Sequence, residues 1–363
     1  MSDLTSKYMI NGPNNIIRLE NGEKILYILG DYHFELQWEC PINDDYESID
    51  IDKLLLKFIK EEKKEEYDLF IENDITYFKH DSKNVYKDIY IRQIRKLFNS
   101  KIEFNKNQII TDKKYPNFRF HYSDIRESLS LLNLEKYYLT PTNLIHNIRP
   151  FKNSIIEHQE ILLDLKKLLI YLNSNDNKYI NKIKNVYKDK KIQVKINKIF
   201  NEIIITNLND IIKNTSHIIN YINTNINKIK NIDIYYKNID NLIWDIFLKI
   251  KENKNNIMYL LVVLTDLYLI RRFLDKDYIN KSILYTGSAH MVNILFILVK
   301  YFNFKLTNVF YFNNSFNLDN IKNLPIKNFK YLKYLVNNIF THYDENFEVT
   351  QCSNLFKFPI NFT

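Results

Sequence analysis

The chain has 363 residues, 45% apolar and 26% charged, which excludes an intrinsically disordered chain and leaves ample material for a buried core. Its 51 Lys and Arg against 43 Asp and Glu give a net charge of +8, yet the lysines are interspersed with acids, so no dense basic stripe of the kind that grips nucleic acid stands out. Codon bias toward A/T explains most of the excess of 27 Tyr and 24 Phe over 4 Gly and 7 Pro, so composition says little about activity.

Met1 to Asn15 is polar and lacks an apolar core segment, so no secretory signal is expected. Lys24 to Leu29 is a short β-branched apolar run ending at Gly30, the pattern of a buried strand. Ile51, Leu54, Leu55 and Phe58 then follow helical spacing, and the charge run Glu61 to Glu66 ends that helix. Tyr67 to Ile71 is a second buried strand, closed by Glu72. Val85, Ile89, Ile94, Leu97 and Phe98 mark a helix, and Phe118 to Tyr122 alternates as a third strand ending at Ser123-Asp124. Strand and helix in alternation predict an α/β fold with a mostly parallel central sheet flanked by helices.

The texture changes after Pro150, where residues 151–324 contain a single glycine, Gly287. Leu162, Leu165, Leu169 and Leu172 carry a helical repeat, and the Asn/Lys/Ile-rich stretch from about 174 to 240 keeps isoleucines at helical intervals. It reads as an all-helical insertion or cap. Met258 to Ile270 is the most apolar run; it contains Asp266 and is shorter than the roughly 20 residues of a bilayer span, so no membrane span is expected. Lys281 to Tyr285 is a strand running into Thr286-Gly287, His290 to Phe302 a helix, and Leu306 to Phe312 a further strand. The expected organisation is therefore residues 1–150 and 279–363 as two halves of one α/β core, with 151–278 as the helical insertion. Cys40 and Cys352 are too far apart in sequence for a metal knuckle; they could pair, but two free thiols in a reducing compartment are favoured.

Two of the four glycines have a histidine three residues on, and both follow a predicted strand: Gly30 to His33 and Gly287 to His290. Glycine at a strand end allows a tight turn and uncovers the backbone, and the carboxyl edge of an α/β sheet is where ligands bind. Glu72 should lie on the same edge, and Asp124 and Arg126 end the third strand there. Of His121 and Tyr122, alternation lets only one face that edge, and the other histidines read as surface or packing residues.

The wording Gly30-Asp-Tyr-His-Phe-Glu35, Phe70-Ile-Glu-Asn73, His121-Tyr-Ser-Asp-Ile-Arg126 and Tyr285-Thr-Gly-Ser-Ala-His290 resembles the TIKI/TraB group, related to erythromycin esterases and ChaN-like haem-binding lipoproteins. It is similar also to uncharacterised proteins of A/T-rich giant viruses. The resemblance covers roughly residues 24–126 and 281–312 and leaves the helical middle unmatched. It implies that His33, Glu72 and His290 are site residues, with Gly30 and Gly287 shaping the turns, and it implies hydrolytic chemistry, metal-dependent in one branch and metal-free in another. Met291-Val-Asn293 departs from the His-Leu continuation common in the TIKI branch, and Arg126 and Asn293 are candidates for its additional arginine or asparagine ligands.

Two imidazoles and a carboxylate at His33, His290 and Glu72 suit Mn, Co, Fe or Zn, with positions left for water as nucleophile. Without metal, His33 could act as general base, oriented by Asp31 or Glu35, with His290 at a helix start favouring a developing anion and Arg126 binding a substrate carboxylate or phosphate. The expected activity is hydrolysis of an ester or amide in a small molecule or peptide, in host cytoplasm or virion. The alternatives are a non-catalytic protein holding a metal, haem or other small ligand, and a structural or packaging protein using its basic surface.

Overall fold

In a computed structural model, which describes residues 8–32, 39–40, 47–72, 89–105, 108–111, 113–126, 149–174, 176–230, 236–310, 318–339, 351–355 and 358, both ends of the chain contribute strands to one six-stranded sheet. In chain order its strands are β2 (Asn15–Asn21), β3 (Lys24–Asp31), β5 (Tyr67–Ile71), β8 (Phe118–Tyr122), β9 (Lys281–Gly287) and β10 (Lys305–Phe310). The spatial order is β10-β2-β3-β9-β5-β8. β3, β9, β5 and β8 run parallel, whereas β2 lies antiparallel between β3 and β10, so the sheet is mixed.

The antiparallel edge originates in Asn21-Gly22. Asn21 pairs with Lys24 across a two-residue turn, and Gly22 takes φ 59° at the first central position, the conformation a tight hairpin needs. Outside this sheet, β1 (Tyr8–Asn11) lies between β4 (Glu47–Asp50), parallel, and β11 (Cys352–Asn354), antiparallel, in a small sheet, while β6 (Ile102–Asn105) and β7 (Gln108–Thr111) form a hairpin.

The alternation of the parallel strands sets two faces. Tyr27, Leu29, Tyr67, Leu69, Ile71, Phe118, Phe120, Ile283 and Tyr285 point into a core shared with helices α1 (Ile51–Glu61) and α2 (Ile89–Asn99). Leu54, Leu55 and Phe58 of α1 and Tyr90, Ile94 and Phe98 of α2 complete it. Val85, expected in the second helix, lies outside the described residues.

The chain divides into two compact units, one of Met1–Ile125, Tyr268–Leu324 and Tyr331–Thr363, the other of Arg126–Leu267 and Pro325–Lys330. The second unit holds α3 (Arg149–Asn173), α4 (Lys178–Asn185), α5 (Lys190–Ile199), a π-helical turn (Phe200–Ile205) and α6 (Thr206–Lys230). It also holds most of α7 (Tyr236–Asp275), whose last turns from Tyr268 belong to the first unit. Asn177 starts α4 by accepting the backbone N–H groups of Tyr179 and Ile180, and Asp189 starts α5 through Lys191. The buried stripe of α3 runs through Ile161, Leu165, Leu168 and Leu172, so the expected helical period is present while two of its four positions are shifted by one residue, because apolar side chains occupy both registers.

In the first unit α8 (Ser288–Phe302) follows β9 directly and packs on β3 and β9. Lys24, at the start of β3, donates to the carbonyls of Phe273, Lys276 and Ile279 at 3.1, 2.8 and 2.5 Å, which closes the end of α7 onto the sheet.

The thiols expected to be free are joined: Cys40 and Cys352 form a disulfide with Cα atoms 4.8 Å apart. Pairing of β1 with β11 places Cys352 opposite Asn11, and the side chain of Asn11 accepts the backbone N–H of Cys40 at 2.9 Å. Sequence separation hid a contact that strand pairing makes.

Candidate functional site

Because β3, β9, β5 and β8 are parallel, their carboxyl ends share one edge, and the register fixes the order of the candidates along it. Gly30 is opposite Thr286 and Asp31 opposite Gly287, so the two Gly-x-x-His turns leave neighbouring strands. Ile71 is opposite Tyr285, which puts Glu72 on the other side of β9; the Glu72 N–H donates to the Tyr285 carbonyl at 3.1 Å.

Glu72 and His290 meet at this edge. Nε2 of His290 lies 3.1 Å from Oε1 of Glu72, and the two side chains are only 5% and 10% exposed. The other carboxylate oxygen accepts from Thr286 Oγ1 at 2.9 Å and from the Gly287 N–H at 2.5 Å. Glu72 therefore sits over the first turn of α8, where the helix dipole favours negative charge, and no side chain of the N-cap residue Gly287 competes for that place. A carboxylate on one imidazole nitrogen orients the ring and raises the basicity of the other nitrogen.

The first Gly-x-x-His turn is described as far as Tyr32; His33 and Glu35 lie outside the described residues. Within it Asp31 is 1% exposed and held by neutral donors: Tyr285 Oη at 2.6 Å on one oxygen and Gln351 Nε2 at 2.6 Å on the other. Ser288 Oγ donates to the Asp31 carbonyl at 3.0 Å, tying the start of α8 to the end of β3.

The expected reason for the two glycines needs correction. Gly287 has φ −62° and ψ 151°, an extended conformation open to other residues, and Gly30 is not among the residues of positive φ. What favours glycine at position 30 is proximity, since a Cβ there would stand 3.0 Å from Sδ of Met291 on α8. The positive-φ glycine near this edge is Gly12, at φ 119°, where a Cβ would meet Ile51 at 2.9 Å, Tyr90 at 3.0 Å and the Tyr285 hydroxyl at 3.2 Å.

Asp124 follows β8, the neighbour of β5, and Arg126 belongs to the second unit and is described apart from this edge. Asn293 is buried on α8 and accepts the Tyr331 hydroxyl at 2.8 Å. Tyr122 points into the α1/α2 core with its hydroxyl on Asn99 at 3.2 Å.

His121 faces the other way and joins a separate polar cluster. Its Nε2 is 2.6 Å from Asp68, which is fully buried and also gripped by Arg119 through Nε at 2.8 Å and Nη2 at 2.7 Å. Burial pushes the His121 imidazole down to about 4 against the pull of Asp68, so the ring is neutral at pH 7 and donates to the carboxylate. Burial works to raise the Asp68 carboxyl, but hydrogen bonds from Arg119 and His121 outweigh it and hold it below the usual range. Among the described residues no group of three or more His, Cys, Asp and Glu gathers around a metal position.

Thr286, Tyr285, Ser288 and Gln351 escaped the sequence reading. The first three sit inside the Tyr285 to His290 motif, where strand alternation followed by a helix start could have flagged them; Gln351 carries no local signal, because only tertiary pairing brings it to Asp31.

A model of a family of unknown function, DUF5847, matches residues 8–176 and 135–363. The chain belongs to this family. DUF5847 similarity thus spans both sheet-forming segments and the helical middle. The relatives of this DUF5847 member include Acanthamoeba polyphaga mimivirus "Uncharacterized protein R161", 30% identical over 97% of the chain and 98% of the relative. They also include "Uncharacterized protein R160", 27% identical over 97% of each, and "Uncharacterized protein R706", 26% identical over 84% of the chain and 86% of the relative. No solved structure matches the chain. No helix among the described residues is long and apolar enough to cross a membrane.

Proposed function

We propose that this DUF5847 member is a hydrolase of the TIKI/TraB-like type, cleaving an ester or amide in a small molecule or peptide with water activated at His33, Glu72 and His290. The observation that carries the reading is the Glu72–His290 pair, with its 3.1 Å separation at the carboxyl edge of the parallel strands. Residues 281–290 supply the strand, turn and helix start, and the helical middle is read as an insertion or cap between the two halves of the core.

The donor set fits a divalent ion of the Mn, Co, Zn or Fe kind. Ligands about 2.1 Å from a metal stand about 3.0 Å apart in an octahedral set and about 3.4 Å in a tetrahedral one, so the 3.1 Å between Glu72 Oε1 and His290 Nε2 lies nearer the octahedral spacing. Glu72 and His290 would hold such an ion together with His33, and the ion when bound would polarise a carbonyl and lower the pKa of water. The chain's own residues act in either branch. Thr286 and the Gly287 N–H fix the Glu72 carboxylate, Glu72 fixes the His290 ring, and Ser288 ties the start of α8 to β3. His33 takes the proton of the attacking water in the metal-free branch, while the α8 N-terminus holds the Glu72 carboxylate that orients His290.

The same hydrogen bonds support a second reading. Both oxygens of Glu72 accept internal donors, as expected of a carboxylate kept to lock a turn, and a non-catalytic protein holding a metal, haem or other small ligand would look like this. Purified protein is to be assayed on chromogenic ester and amide panels with and without Mn, Co and Zn, alongside metal analysis and absorption spectra. Turnover that falls at least about 100-fold in His290→Ala and Glu72→Gln supports the hydrolase. Stoichiometric metal or a haem band without turnover selects the binding protein, and neither overturns both.

A further inference from the structure

We infer that oxidation of Cys40 and Cys352 completes the candidate site, by seating the C-terminal segment at Gln351 on buried Asp31 and so fixing the strand ends that carry Glu72 and His290. The inference rests on Glu72 and His290 being the site. Cys352 opens β11, which is only three residues long and pairs with β1 alone among the described strands. So short a strand does not hold itself in place, and the disulfide is its covalent anchor. The preceding residue, Gln351, is 1% exposed; its carbonyl accepts the Gly12 N–H at 3.0 Å and its amide donates to Asp31 at 2.6 Å.

From Asp31 the connection to the site is short. Asp31 is in register with Gly287, whose N–H donates to Glu72, and its carbonyl accepts from Ser288, two residues before His290. A buried carboxylate depends on its donors, so losing Gln351 removes one hydrogen bond from Asp31 and loosens the ends of β3 and β9. Reduction by a dithiol balances simply: the reductant becomes its disulfide, giving two electrons and two protons, and Cys40 and Cys352 become thiols. Both cysteines are about 5% exposed, so exchange needs local opening, and the device marks a matured state of the protein rather than a rapid toggle.

The test is hydrogen exchange by mass spectrometry on the full chain, oxidised and after dithiothreitol, with alkylation to count thiols. Oxidised protein is expected to take up no alkyl groups and reduced protein two. Reduction is expected to lower protection at least about tenfold in 351–355, 28–31 and 285–290 while β5 and β8 change less than about twofold. Gln351→Leu, with the disulfide intact, is expected to lower protection at 28–31 and 285–290 and leave 352–354 protected. Two free thiols in protein purified without reductant, or unchanged protection at 28–31 and 285–290 on reduction, overturns the inference. Exchange needs no turnover, so coupling seen in a protein that hydrolyses nothing upholds the inference while the hydrolase reading fails.

Discussion

Replacing His121 with Gln should reduce the acid sensitivity of the chain between about pH 6.5 and 4. In the native state burial holds the His121 imidazole at about 4 against an ordinary value of 6.5, whereas the unfolded chain restores the ordinary value. Above pH 6.5 the ring is neutral in both states and its contribution is complete. As pH falls from 6.5 toward 4 the unfolded chain takes up a proton that the native chain refuses, so stability declines by up to about 1.4 kcal/mol per pH unit. Over the whole interval this amounts to about 3 kcal/mol. Asp68 works in the same direction but lower, since its depressed carboxyl gives stability that is present above about pH 4 and lost only as pH drops through its native value. Gln keeps an N–H donor for Asp68 and loses the ring that packs on Phe70 at 4.6 Å between centroids, a cost of about 1 kcal/mol that does not vary with pH. Guanidinium titrations followed by circular dichroism at several pH values give the two curves. The expected result is a wild-type curve that falls toward pH 4.5 more steeply than the variant curve, by up to about 1.4 kcal/mol per pH unit. Parallel curves, or an imidazole resonance of His121 that titrates above pH 6, would refute the account of a buried neutral histidine.

The other predictions concern the chain's tight places. Gly12→Ala should cost about 2 kcal/mol, because φ 119° is strained for alanine and its Cβ would press on Ile51 and Tyr90; a thermal melt reads it. Gly30→Ala should cost about 1 kcal/mol and be relieved by Met291→Ala, since the conflict is with a flexible thioether at 3.0 Å rather than with the backbone; a double-mutant cycle that is additive would count against the contact. Cys40→Ser should lower stability by several kcal/mol, at most about 6, the chain-entropy value for a link spanning 312 residues, and a wild-type chemical melt unchanged by reductant would contradict it. Tyr331→Phe should cost about 1 kcal/mol through loss of the 2.8 Å bond to Asn293, with no change in the ordering of 285–290 by exchange.

Local patterns told the parallel half of the sheet and hid the rest. The runs at Lys24, Tyr67, Phe118 and Lys281 are buried on both faces and stop at Gly, Glu or Ser, so each announces itself as a strand without help from its neighbours. β2 went unread because Asn15 to Asn21 mixes polar with apolar residues, although Asn21-Gly22 is a hairpin signal in its own right. At the site, Glu72 and His290 were legible because strand ends and helix starts are local features. Asp31 was legible only as a possible helper, and its partners Tyr285 and Gln351 were not, since a donor 320 residues away enters through the pairing of β1 with β11. The same pairing explains the disulfide, where compartment reasoning weighed against a bond that the fold makes short.

Two acidic groups on the same strand path differ in a way that bears on function. Asp68 is fully buried, clamped by both arms of Arg119 and by a neutral His121, and its charge is matched inside the protein. Such an arrangement fixes the pairing of β5 with β8 and has no use for a ligand. Glu72, four residues on, is 10% exposed, accepts from Thr286 and the Gly287 N–H, and meets the His290 imidazole. Its carboxylate is oriented toward an imidazole that can gain or lose a proton, so a proton can be exchanged between Glu72 and His290. Exchanging the two environments makes the difference testable. Thr286→Val removes one neutral donor and should loosen the pair without unfolding the sheet, whereas Arg119→Leu strands a buried carboxylate and should cost at least about 3 kcal/mol. If both variants are equally mild in a guanidinium melt, Asp68 is not the matched structural charge described here, and the contrast that singles out Glu72 disappears with it.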